Sequence, residues 1–129
     1  MVRPLIAIAA GLATAIVTIM AVEAIGYQLY PPPAGFDMAR PSAELLPFET
    51  LVFPVIGWFL GATAGGWLAI RLSGERWTAW VIAAFVLAAT ILNLALITHP
   101  LWMIVAGLLA SPLGGGLAQW ISRGTSRSS

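Results

Sequence analysis

PLIAIAAGLATAIVTIMAV, residues 4–22, is an unbroken stretch without a charged side chain. At 1.5 Å rise per residue it makes a helix about 28 Å long, close to the roughly 30 Å hydrocarbon thickness of a bilayer. The apolar character continues through Glu23 to Tyr30. Three further stretches of similar length follow at about 51–72, 77–97 and 101–121. Runs this continuous predict helices, because in lipid every backbone polar group must find its partner within its own segment. Strands of a barrel would be about ten residues long and would alternate apolar with polar. The expected fold is all-α: a polytopic membrane protein with a four-transmembrane-helix bundle over residues 1–123, an outer loop at 31–50, and a disordered cytoplasmic tail at 124–129. Residues 4–22 are also longer than the 7–15 residues of a signal-peptide core, and no small-residue cleavage site follows, so the first segment reads as an uncleaved helix.

Composition agrees. Of 129 residues, 60% are hydrophobic and 9% charged, against roughly a quarter charged in ordinary globular chains. Five acids and six bases are too few to cover a water-soluble domain. The net charge of +1 offers no basic face for nucleic acid. The chain has no cysteine, which excludes disulfides, thiolate nucleophiles and zinc–thiolate sites.

All six bases are arginine. Arg3, Arg71, Arg76, Arg123 and Arg127 fall on one side of the expected membrane, and Arg40, with Asp37, Glu44 and Glu49, falls on the other. The positive-inside rule therefore puts both termini and the tight turn at 73–76 in the cytoplasm, and the 31–50 loop and the 98–100 turn outside. Trp67, Trp77, Trp80 and Trp120 then lie near the inner interface, and Tyr27, Tyr30, Phe48 and Trp102 near the outer one, where amphipathic rings are favoured. Pro31-Pro32-Pro33 ends the first helix. Ala34-Gly35 reads as a turn, and residues 43–48 as a short piece on the membrane surface.

Three features are candidates for function. In the second helix Gly57, Gly61 and Gly65, continued by Ala69, repeat every fourth residue, the pattern of a glycine zipper. The fourth helix has Gly107, Ser111 and Gly115, and a parallel row Ala106, Ala110, Gly114 and Ala118. Such faces let backbones approach closely, the main source of helix association in lipid. They read as packing between helices 2 and 4 within one bundle, as the interface of a homo-oligomer, or as a glycine-lined groove for a lipid or other hydrophobic small molecule. The second feature is polar. Glu23 is the one acid within an apolar segment, about 27 Å from the inner end of its helix. Tyr27 shares its face, and Asn93 and His99 lie at similar depth. The four predict an outer polar cluster, either a hydrogen-bonded clasp between helix 1 and the 3–4 hairpin or a site for a proton or cation. The third is Pro112, expected to kink helix 4 by freeing the Leu108 carbonyl, whereas Pro54 sits in the first turns of helix 2, where a missing N–H costs little.

No nucleophile–base pair, metal ligand set or phosphate loop is present, so neither catalysis nor a cofactor is expected. The expected function is that of a non-catalytic membrane protein acting by helix association, as a homo-oligomer or as an accessory subunit of a larger membrane complex. The alternative is a small transporter or channel with an outward-facing acidic site at Glu23.

The run Val22-Glu23-Ala24-Ile25-Gly26-Tyr27, followed by Tyr30-Pro31-Pro32-Pro33-Ala34-Gly35, resembles the hallmark of a family of small uncharacterised four-helix membrane proteins of bacteria. The region from Gly57-Trp58 to Gly65-Gly66 and the His99-Pro100-Leu101-Trp102 turn are similar to that family too. The resemblance covers most of the chain. It implies the fold class and a place in the bacterial cytoplasmic (inner) membrane, and it implies no activity.

Overall fold

A computed structural model describes residues 2–36 and 46–126. It contains four helices: α1 (Val2–Leu29), α2 (Phe48–Ser73), α3 (Thr78–Leu96) and α4 (Leu101–Ser126). Each is long and apolar enough to cross a membrane. Asp37, Arg40 and Glu44, half of the expected surface piece at 43–48 (residues 43–45), and Arg127 lie outside the described residues.

The connections follow from local chemistry. α1 ends before Pro31, and the turn expected at Ala34-Gly35 forms, with Gly35 at φ 88° and the Phe36 N–H donating to the Pro33 carbonyl at 3.1 Å. α2 stops at Gly74, whose left-handed φ of 73° suits a residue without a side chain and lets its N–H reach the Ile70 carbonyl at 2.8 Å. The short turn that follows is held by its own hydroxyls. Thr78 Oγ1 donates to the Glu75 carbonyl at 2.7 Å, and the Glu75 N–H donates to Ser73 Oγ at 3.0 Å. Between α3 and α4, the Ile97 N–H closes on the Asn93 carbonyl at 3.0 Å.

Two boundaries differ from the expected ones. α2 starts at Phe48, three residues before the apolar run, because the Pro47 carbonyl accepts from the N–H groups of Thr50 and Leu51 at 3.1 and 3.3 Å. Pro54 is therefore past the first turn, and the Thr50 carbonyl loses the donor that a residue other than proline would supply at position 54. α4 continues through Ser126 rather than giving way to a tail at Gly124. It also passes through Pro112 without interruption.

α2 is the hub. It packs most extensively against α1, then α4, then α3, whereas α1 and α4 scarcely touch each other. Helices 2 and 4 do pack together as expected, but the small-residue rows are used differently. The Gly57, Gly61 and Gly65 face is covered by α1: a methyl group on Gly61 would lie 3.0 Å from the Ala15 carbonyl and 2.8 Å from Ile19. On Gly65 it would collide with the Gly11 carbonyl. The reciprocal surface on α1 is Ala7, Gly11 and Ala15, all buried. α4 meets α2 through Gly114, where an added methyl would lie 2.6 Å from the Phe59 carbonyl, and through Ala118 against Gly66. Gly107 receives the ring of Trp58, and Gly115 abuts Ala83 and Trp80 of α3. Ser111 is fully buried in the same row, and its hydroxyl has no hydrogen-bond partner. A four-residue period identifies a close-packing face but not the helix that fills it, which is why the row on α2 pointed to α4.

Candidate functional site

A cavity with polar groups in its lining lies at the end of the bundle away from the termini. Glu23 and Tyr27, one turn apart, come from the last two turns of α1. Asn93 comes from the last turn of α3, and His99 from the turn between α3 and α4. All four line one cavity of about 120 Å³. The expected polar cluster is thus assembled from two helices and a turn that are distant in sequence.

The local structure positions each group. Thr50, also in the lining, is buried, and its Oγ1 donates to the Tyr30 carbonyl at 2.9 Å, fastening the end of α1 to the start of α2. Tyr30 and Phe53 meet at a tilt of 45° with ring centroids 6.0 Å apart, and Phe48 and Trp102 at 49° and 4.9 Å, so two aromatic contacts brace the same end. His99 does not bond to Glu23. Its Nδ1–H donates to the Ile97 carbonyl at 2.6 Å, within its own turn, which leaves Nε2 as the free ring nitrogen. Among the described residues no hydrogen bond closes the cluster into a clasp, and the polar groups share the walls of an open pit with apolar side chains.

Sequence reading missed Thr50, Pro54 and Met103, which share the lining with Phe36, Leu46, Leu51 and Ile97. The signal was present in Pro54, whose place in the second turn of α2 deprives the Thr50 carbonyl of its helical partner. Met103, 2% exposed, and Leu51, 5% exposed, close the pit below. One turn deeper, the Trp58 ring fills the gap over Gly107.

No family model, no curated protein and no solved structure matches this chain. The site's own chemistry is what remains to be read.

That chemistry is dominated by acceptors: the Glu23 carboxylate, the Asn93 amide oxygen, the Thr50 carbonyl and the unprotonated His99 Nε2. The Tyr27 hydroxyl and the Asn93 amide can donate. Among the described residues no arginine lines the pit, and no three His, Cys, Asp or Glu side chains are grouped to hold a metal ion. Ligands of drug size occupy pockets of roughly 300–1,000 Å³, so a cavity of about 120 Å³ suits something much smaller. One carboxylate among neutral acceptors favours a small monovalent cation or a protonated group over an anion.

Proposed function

We propose that this chain is a non-catalytic polytopic protein of the bacterial cytoplasmic membrane, with both termini inside, and that it binds a small cation or protonated group at Glu23 in the outward-facing pit. This is the binding end of a small transporter, and it is consistent with the family resemblance in residues 22–35. The observation that carries the reading is the convergence of Glu23, Tyr27, Asn93 and His99 on one cavity. An ionisable residue within a membrane segment is costly unless it is used or partnered.

Helix association through the Gly57, Gly61 and Gly65 row loses its surface, because α1 already covers it. An accessory subunit would have to use the lipid-facing side chains instead.

The test is flux in liposomes loaded with a pH-sensitive dye and challenged in turn with ammonium, sodium and potassium gradients. The wild-type chain is expected to dissipate at least one gradient, and Glu23→Gln to lose that activity while keeping its fold by circular dichroism. Equal traces from wild type, variant and empty vesicles would rule the reading out.

A further inference from the structure

Away from the polar pit, α2 carries a second open surface. It is a groove of about 440 Å³ lined by Thr18, Leu60, Thr63, Ala64, Trp67 and Ile121. It exists because α1 and α4 flank α2 and scarcely meet each other. α1 approaches α2 at Gly61 and α4 approaches it at Phe59 and Ala62, and between them the Leu60–Trp67 face is left bare.

Its lining is apolar in effect as well as in composition. The two hydroxyls in it are already used: Thr63 Oγ1 donates to the Phe59 carbonyl at 2.8 Å, and Thr18 Oγ1 to the Thr14 carbonyl at 2.7 Å. Neither requires a polar ligand. Leu60, Ala64, Trp67 and Arg71 follow one another at intervals of four, three and four residues, so they share one helix face. The groove floor is therefore a stripe about 10 Å long from Leu60 to Trp67 that ends, one turn on, in a cation. The Arg71 guanidinium lies over the Trp67 ring, 5.3 Å from its centroid. Arg3 brings a second guanidinium to the same helix end, its Nε donating to the Leu72 carbonyl at 2.7 Å.

We propose that this groove is a binding site for an anionic phospholipid of the cytoplasmic leaflet, with an acyl chain along Leu60, Ala64 and Trp67 and the phosphate at Arg71. The assignment rests on the membrane orientation proposed above. The argument for a lipid is the match of polarity to depth: apolar toward the bilayer middle, indole at the interface, guanidinium at headgroup level. A second copy of the chain is disfavoured. Two copies inserted in the same orientation place equal residues at equal depth, so a symmetric contact on this face would bring one Arg71 against the other.

The experiment uses the full chain in nanodiscs of equimolar phosphatidylcholine and phosphatidylglycerol, with acyl chains brominated in one lipid or the other. Brominated phosphatidylglycerol is expected to quench tryptophan fluorescence more than brominated phosphatidylcholine, and Trp67→Phe to remove that difference. Native mass spectrometry of the same sample should show preferential retention of phosphatidylglycerol, falling about five-fold in Arg71→Gln and little in Arg71→Lys. Equal quenching and equal retention of the two lipids would overturn the proposal. So would an Ala64→Cys chain, otherwise free of cysteine, that crosslinks to itself in the membrane. Release of the chain from membranes by alkaline carbonate would remove the membrane reading and the lipid site together, whereas a retained chain without lipid preference removes the lipid site alone.

Discussion

A methyl group at Gly65 has nowhere to go, since it would collide with the Gly11 carbonyl and lie 3.0 Å from the Ala15 side chain. Both obstacles belong to the facing helix, so relief requires α1 and α2 to move apart. Gly65→Ala is expected to destabilise the fold by about 1–3 kcal/mol, the usual range for overpacking, and Gly65→Leu to prevent it from forming. Gly116 is the control, because its nearest neighbour would be a Trp80 ring atom at 3.9 Å. Gly116→Ala should be neutral or stabilise by up to about 1 kcal/mol through helix propensity. Unfolding in mixed detergent micelles with rising dodecyl sulfate would measure both, and equal effects at the two positions would contradict the packing described. Ser111 offers a test of the opposite sign. Its buried hydroxyl lacks a partner, so Ser111→Ala is expected to leave stability unchanged or raise it by about 1 kcal/mol in the same titration.

Among the helices, α1 is the most dispensable in burial and the most demanding in position. Its buried residues are Ala7, Gly11, Ala15 and Gly26, all without a large side chain, yet it covers the whole glycine face of α2. A chain divided between α1 and α2 and co-expressed as two pieces should reassemble, with α1 recovered on the tagged remainder. The remainder alone exposes the glycine face and is expected to self-associate through it, which disulfide crosslinking from Phe53→Cys or Gly57→Cys, both on the side that α1 covers, would detect. Absence of both outcomes would show that the α1–α2 contact is not a principal source of cohesion.

The four helices were legible because each is an apolar run long enough to cross a membrane, a pattern that strands and loops do not produce. The polar cluster was legible too, since depth along each helix is a linear measure and put Glu23, Asn93 and His99 at one level. Pairing was not. The spacing of Gly57, Gly61 and Gly65 identifies a bare face, but choosing between α1 and α4 as its occupant requires the rotation of each helix about its axis. Ala7, Gly11 and Ala15 carry the complementary period, and alanine is too common in apolar segments for that row to stand out. The start of α2 was hidden because Phe48-Glu49-Thr50 is not an apolar run, and with it the place of Pro54.

On the scale of the whole molecule, the two ends differ in chemistry. One carries Arg3, Arg71, Arg76 and Arg123, with the Gln119 side chain donating to the Arg76 carbonyl at 3.0 Å. The other carries the acidic pit and the aromatic pairs. Two single-cysteine chains would test the proposed orientation. Gly35→Cys is expected to react with a membrane-impermeant maleimide in intact spheroplasts, and Glu75→Cys only after permeabilisation. The reverse pattern would place the pit on the cytoplasmic side and leave the transporter reading without its entry.

The hub position of α2 also bears on the order in which the chain is built. Its largest interface is with α1, the helix made immediately before it, so that pair can close while α3 and α4 are still being synthesised. The second hairpin then arrives at a surface that is already formed, and apart from a smaller contact between α1 and α3 each later interface joins successive helices or docks onto α2. Such an order needs little searching, because the first hairpin already presents the surface that receives the rest of the protein.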